Sequence, residues 1–166
     1  MDKKTLFKNL IKILDKELKA YENLVILFEE KKEILKKSKS DELGVVDNKI
    51  LATNAEIVKL NDSRKNTSEQ LLGKDGCMSD FIELSKSEAP EYTEALETRK
   101  VKICNNIDKL MLLNNQNVEL MKHGIVITNK MLETIVDAFA PQGSNYNGAG
   151  KTDTHDLNMW TINEEI

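Results

Sequence analysis

Three long segments of the chain carry apolar side chains at alternating steps of four and three residues. That spacing places the side chains on one face of an α-helix, whereas a β-strand would need alternation at every second residue. Such a face is stable only when another helix covers it. Three stripes of this kind in one chain therefore predict an all-α fold in which the helices bury one another.

The first two stripes are separated by a polar stretch that suits a turn between two helices. Lys36 and Lys37 favour a helix C-terminus, and Ser40 followed by Asp41 favours the start of a helix. We expect a tight turn between residues 38 and 40. The second half of the second stripe is polar, and we expect that end to be less well packed. The two stripes are Phe7, Ile11, Leu14, Leu18, Tyr21, Val25, Phe28, Lys32 and Leu35, then Leu43, Val46, Ile50, Thr53, Ile57, Leu60, Arg64, Thr67 and Leu71.

The third stripe is the longest. Gly73 and Gly76 end the second helix, residues 78–86 form a short helix, and Pro90 opens a third long helix that runs to Pro141. At 1.5 Å per residue this helix would reach roughly 70 Å, against about 50 Å for each of the others. The predicted architecture is an elongated antiparallel helical bundle or coiled coil of three long helices plus a short helix. The third stripe is Leu96, Ile103, Ile107, Leu110, Asn114, Asn117, Met121, Ile125, Thr128, Met131, Ile135 and Phe139.

Two asparagines, Asn114 and Asn117, interrupt this stripe. An asparagine on an apolar face weakens packing unless it is hydrogen-bonded, so it specifies the register of neighbouring helices rather than adding stability. We expect both side chains to face inward and to bond neighbouring helices. The alternative is a helix rotated so that Leu113 and Leu120 form the seam.

The composition divides the chain and narrows its partners. Residues 1–140 form a helical domain, and the turn-rich residues 141–166 form a flexible tail. The net charge of −4 and the pI near 5.4 argue against nucleic acid as the main partner. The apolar runs are too short to cross a membrane, and the first residues do not resemble a secretory signal. We expect a cytoplasmic protein without stable membrane insertion.

The tail contains one sequence with a superficial likeness to a nucleotide site. Residues 148–152 read Gly-Ala-Gly-Lys-Thr, as in the end of a phosphate-binding loop. The full loop needs a glycine where this chain has Asn145, and it needs a strand before it. The sequence therefore favours a turn-rich tail over a nucleotide site.

Side chains suited to catalysis or metal binding are scattered. His123 and His155 lack partners at metal-ligand spacing, and Cys77 and Cys104 lie far apart in the sequence. We expect His123 on a helix surface and both cysteines to act as small apolar fillers. The carboxylates fall on lysine-rich, solvated faces. The chain is predicted not to be an enzyme and to hold no cofactor or metal.

Four segments, in this order, resemble the FlgN family of flagellar export chaperones. They are residues 17–24 (ELKAYENL) in the first helix, 47–51 (DNKIL) in the second, 113–120 (LNNQNVEL) in the third, and 145–150 (NYNGAG) in the tail. The resemblance covers most of the chain, although the tail beyond Lys151 is longer than the family pattern. Each segment alone is common, and the order within a short acidic helical protein carries the resemblance.

This resemblance implies a chaperone of the flagellar type III export system. Such proteins hold the C-terminal helices of hook–filament junction proteins, of the FlgK and FlgL type, and dock on the export gate through the tail, for which Tyr146 is the candidate. The apolar set widens late in the third helix, and methionines suit an adaptable groove for a partner helix. The candidate cargo-binding residues are Met121, Ile125, Met131, Leu132, Ile135 and Phe139. Two alternatives stay open, a structural homo-oligomeric coiled coil and a regulatory adaptor protein.

Overall fold

A computed structural model describes residues 2–139 of the chain and contains four α-helices over that range. Helix α1 spans Lys3–Lys36, α2 spans Ser40–Leu72, α3 spans Met78–Glu88 and α4 spans Thr93–Phe139, with a 3₁₀ turn at Pro90–Tyr92 before α4. No strand occurs between residues 2 and 139. The predicted all-α fold of three long helices plus a short one is confirmed.

The chain divides into two compact units, Met1–Ile125 and Val126–Ile166. The described part of the second unit is the end of α4, residues 126–139. The predicted boundary between residues 140 and 141, and the tail that follows it, lie outside the described residues and stay predictions.

Helices α1 and α2 form an antiparallel hairpin in the first unit. Three side-chain contacts show the direction, because the partner number falls as the α1 number rises: Glu17–Arg64, Asn23–Thr53 and Lys31–Asp47. The turn lies where the sequence predicts it, since α1 ends at Lys36 and α2 begins at Ser40. Ser38 has a φ of 52°, a left-handed conformation that reverses the chain direction.

Helix α4 lies alongside α1 in the parallel direction. Arg99 binds Asp15, and Asn117 binds the backbone of Phe28, so the residue numbers of both helices rise together. Pro90 opens the 3₁₀ turn that leads into this helix. Proline suits a first turn, because its missing N–H is not needed there.

The largest apolar cluster lies where the start of α1 and the end of α2 meet α3 and the start of α4. Phe7, Phe81 and Leu96 are fully buried there, and Leu71 belongs to the same cluster. The expectation that the second half of α2 is less well packed is therefore wrong at Leu71. The short helix predicted over residues 78–86 is present as α3, and its Phe81 and Ile82 supply the covering surface.

The predicted stripes of α1 and α2 face the interior along their whole length. Every member is buried or half-buried, including the polar members Lys32 and Arg64. The Lys32 Nζ donates to Gln116 Oε1 of α4 at 2.7 Å, so this lysine joins two helices. Periodicity alone identifies the inward face of both helices.

Candidate functional site

Four aliphatic side chains near the end of α4 form an exposed apolar surface in the second unit. Met131, Leu132, Ile135 and Val136, here called the late α4 surface, are each between 49% and 61% exposed. At about 100° per residue they fall within about 140° of the helix circumference, so they form one continuous face. An apolar face of this kind is a candidate interaction site.

The other predicted cargo-binding residues lie around this surface in the sequence. Met121 is half-buried and Ile125 is exposed, both in the first unit. Phe139 is the last residue of α4, and its side chain is outside the described residues. The role of all these residues in cargo binding stays a prediction.

The late α4 surface offers mainly apolar contacts. Between residues 126 and 136 the charged side chains are Lys130 and Glu133, and the Thr134 hydroxyl donates to the Lys130 carbonyl at 2.9 Å within the helix. The four side chains of the surface exclude water and pack against other apolar groups, and none of them is titratable. This surface suits an amphipathic helix or a second copy of itself.

The two asparagines proposed to set the register differ in burial. Asn117 is buried, and its Nδ2 donates to the Phe28 carbonyl of α1 at 3.1 Å. The Oδ1 atom of Asn117 is buried without a hydrogen-bond partner in the described part of the chain. Asn114 is exposed, and Leu113 is buried in its place, so the prediction that Asn114 faces inward is wrong. The structure thus combines the two alternatives, with Leu113 and Asn117 both turned inward.

A buried ion pair between α1 and α2 is a feature that sequence reasoning missed. Glu17 is only 4% exposed, and its carboxylate accepts a hydrogen bond from Arg64 Nε at 3.1 Å. The prediction that the carboxylates lie on solvated faces is therefore wrong for Glu17. The available signal was Arg64 itself, because an arginine on an apolar stripe needs a buried anion opposite.

The pKa values of two neighbouring side chains, Glu17 and Tyr21, are both raised. Burial raises the pKa of the Glu17 carboxyl above its usual value, and the charge of Arg64 opposes that shift. Burial also raises the pKa of Tyr21, with a further contribution from the charge of Glu17. Both residues belong to the segment 17–24 that carries part of the family resemblance.

A second arginine fixes α4 to α1 without full burial. Arg99 donates to both carboxylate oxygens of Asp15, with Nε–Oδ1 at 2.8 Å and Nη2–Oδ2 at 3.0 Å. Such a two-pronged pair holds one orientation of the two side chains, which a single contact would not. The pair thereby sets the alignment of α4 along α1.

The predictions for His123 and for the two cysteines have different outcomes. His123 lies on the exposed side of α4, as predicted. Cys77 and Cys104 are both exposed, so their prediction as apolar fillers is wrong. Residues 2–139 contain no cluster of three or more histidine, cysteine, aspartate or glutamate side chains placed to hold a metal ion. Over the same residues, no helix has both the length and the apolar character to cross a membrane.

Two further predictions fall outside the described residues. Tyr146, proposed for docking to the export gate, lies in residues 140–166, as does the glycine-rich stretch 148–152. The gate-docking role of Tyr146 stays a prediction.

Comparison with known proteins identifies the family. A family model described as FlgN protein matches residues 1–154, which is nearly the whole chain. Neither the curated proteins nor the solved structures gave a match. FlgN proteins are chaperones that bind flagellar proteins, not a family of enzymes. The chain therefore belongs to the FlgN family of flagellar export chaperones.

Proposed function

We propose that this chain is a cytoplasmic chaperone that holds the C-terminal helices of hook–filament junction proteins, of the FlgK and FlgL type, and delivers them to the flagellar export gate. Family membership supports the chaperone role. The observation that carries the cargo site is the late α4 surface, where four neighbouring aliphatic side chains are about half exposed or more.

The physical basis of capture is the burial of two apolar faces against each other. The end of a waiting export substrate is an amphipathic helix, which aggregates unless its apolar side is covered. The late α4 surface offers a matching face, and helix-on-helix packing at steps of three and four residues is a common recognition mode. Each aliphatic side chain buried on binding contributes on the order of 2 kcal/mol before the costs of association.

The same estimate of binding energy is compatible with release of the cargo. Four aliphatic anchors without a charged pair at their centre give moderate affinity once the loss of translational freedom is included. A chaperone that passes its cargo onward needs dissociation on the timescale of export, which moderate affinity permits. Met121, Ile125 and Phe139 are proposed as additional anchors on the strength of the helical spacing alone.

The test of the cargo site is a pair of double variants with matched exposure and chemistry. Leu132→Asp with Ile135→Asp places two charges in the late α4 surface. Met111→Asp with Leu112→Asp places two charges on exposed apolar positions of the same helix, where exposure is 63% and 58%. Purified junction protein, and the same protein without its C-terminal helix, serve as the baits in a pull-down.

We expect the first variant to lose the intact junction protein and the second to retain it. Circular dichroism should show both variants as helical as the parent, because all four positions are exposed. Equal retention by both variants would reject the late α4 surface as the cargo site. A parent chain that captures no junction protein, and whose dimer dissociates in the first variant, would favour the homo-oligomeric coiled coil instead.

The delivery step is proposed to use Tyr146 in the tail. An aromatic ring among glycines gives a short segment a single strong anchor for another surface. Tyr146→Ala should leave cargo affinity unchanged and lower export of junction proteins and motility, with Tyr146→Phe as the control that keeps the ring. Weaker cargo binding by the alanine variant in a purified assay would assign the tail to the cargo site instead.

A further inference from the structure

Four lysines lie along one side of the first half of α1. Lys8, Lys12, Lys16 and Lys19, here called the lysine stripe, are all exposed. Their spacing of four, four and three residues confines them to about 80° of the helix circumference and to a line about 17 Å long. The chain as a whole has a net charge of −4, so this stripe is opposite in sign to the molecule that carries it.

Two of the three acidic residues nearest the stripe in the sequence are engaged elsewhere. Asp15 pairs with Arg99, and Glu17 pairs with Arg64. Glu22 follows the last lysine by three positions and lies beyond the end of the stripe. Among residues 2–139, none of the four lysines forms an ion pair.

Other exposed helix faces of the molecule are arranged differently. Lysine and glutamate three positions apart pair on α1, on α3 and on α4, in Lys36–Glu33, Lys86–Glu83 and Lys122–Glu119. The stripe instead places lysines four positions apart beside one another, and such like-charged neighbours destabilise a helix. Solubility alone does not require lysines in this destabilising arrangement. A bound external anion would remove the repulsion between them.

The use of lysine rather than arginine indicates which kind of anion. The chain has two arginines, Arg64 and Arg99, and both bind fixed carboxylates within the fold. Arginine suits such geometry because its guanidinium is a rigid fork, whereas lysine is a hydrated point charge on a flexible stem. A row of point charges suits laterally mobile anionic headgroups better than the fixed carboxylates of a folded protein.

We propose that the lysine stripe binds the surface of an anionic lipid bilayer, reversibly and without insertion. The apolar side of the same helix turns is committed to the interior, where Phe7, Leu10 and Leu14 are fully buried, so α1 has no apolar face to place among acyl chains. The attraction is then electrostatic and weakens as added salt screens it. Such contact would confine the chaperone to a membrane surface, independently of which cargo it holds.

The test is co-sedimentation of the full chain with vesicles of phosphatidylcholine alone and of phosphatidylcholine with about one third phosphatidylglycerol. The stripe variant changes Lys8, Lys12, Lys16 and Lys19 to glutamine. The control variant changes four other exposed lysines to glutamine, and thus alters the net charge equally: Lys37, Lys59, Lys74 and Lys102. Circular dichroism confirms that both variants fold.

The parent and the control should bind the anionic vesicles at low salt and release them as salt rises. The stripe variant should bind more than about tenfold more weakly, since each lysine near an anionic surface contributes about fivefold. Equal binding to both vesicle types, or equal loss in both variants, would overturn the proposal. A third outcome would also overturn it: the parent chain does not bind the vesicles but binds a polyglutamate peptide through the stripe. An acidic protein would then be the partner.

Discussion

Helix α4 carries apolar side chains at helical spacing in its first turns and in its last ones, but the two regions differ in burial. Leu96 is fully buried in the cluster that contains Phe7 and Phe81, whereas Ile135 is about half exposed. The first region is covered by side chains from three other helices. The comparison teaches that periodicity identifies which face of a helix is apolar, but does not identify what covers that face.

Family membership supplies a reason for the difference. A monomeric enzyme or structural domain would bury an apolar face of this kind within its own fold. A chaperone of the FlgN family binds flagellar proteins, so part of its apolar surface has to be completed by another molecule. The buried cluster stabilises the fold, and the late α4 surface is the proposed cargo site.

The largest expected effect comes from truncating one aromatic side chain in the covered region. Phe81→Ala removes a fully buried ring and should lower the free energy of unfolding by about 3–5 kcal/mol. Ile135→Ala on the late α4 surface should change it by less than about 0.5 kcal/mol, because the side chain is already half exposed. Urea unfolding followed by circular dichroism measures both. Similar losses for the two variants would show that the late α4 surface is part of the folded core.

A second prediction concerns the charged pair between α1 and α2. Arg64→Met leaves the buried Glu17 carboxylate without its partner and should cost about 1–3 kcal/mol at neutral pH. Burial already raises the pKa of Glu17, and removal of the opposing arginine raises it further. A carboxyl whose folded pKa lies above its unfolded value gains protons on folding, so the loss should shrink as the pH falls through the folded pKa.

Unfolding of the Arg64→Met variant at pH 7 and at pH 5 tests this sign. The double variant with Glu17→Gln is the control, because a neutral amide removes the titrating group and should remove the pH dependence with it. A deficit of equal size at both pH values would mean that Arg64 acts through packing of its aliphatic stem rather than through its charge.

Sequence reasoning succeeded where each helix has one constant inward face. Helices α1 and α2 pack against each other along their length, so a single stripe on each remains inward from Phe7 to Leu35 and from Leu43 to Leu71. The turn was predictable for the same reason, because a polar stretch between two such stripes leaves few alternatives. These features depend on local spacing, which the sequence contains.

The errors concern features that depend on residues distant in the sequence. The inward side of α4 is set by the helices that lie beside each turn. At this turn Leu113 is buried, whereas Asn114 was predicted to face inward. Glu17 and Arg64 are separated by 47 positions, so their pairing follows from the hairpin and not from local spacing. The late α4 surface was predictable as an apolar face, and its exposure was predictable from length, because α4 has 47 residues against 34 in α1 and 33 in α2.

A third prediction separates the two asparagines. Asn117→Leu removes a buried acceptor that lacks a partner, together with one hydrogen bond to Phe28, and should raise the free energy of unfolding by about 1 kcal/mol. Asn114→Leu on the exposed side should change it by less than about 0.5 kcal/mol. If Asn117 specifies the register, the Asn117 variant should also sediment as a mixture of oligomers. A loss of stability in that variant would mean that the hydrogen bond outweighs the unpaired acceptor.

The smallest expected effect lies at Gly124, inside the uninterrupted run of exposed residues 122–136 of α4. A methyl group added there would meet no atom within 4 Å, and alanine favours the helix over glycine by up to about 1 kcal/mol. Because no buried core residue lies beyond it in the described chain, Gly124→Ala should slow amide hydrogen exchange in residues 126–136 while the urea midpoint stays nearly constant. Gly73→Ala is the control of opposite sign, since its φ of 71° strains an alanine and should lower the midpoint. The opposite result would be a urea midpoint that Gly124→Ala raises by as much as Gly73→Ala lowers it. That result would show that the end of α4 unfolds together with the core. The two regions of α4 would then differ in exposure and not in stability.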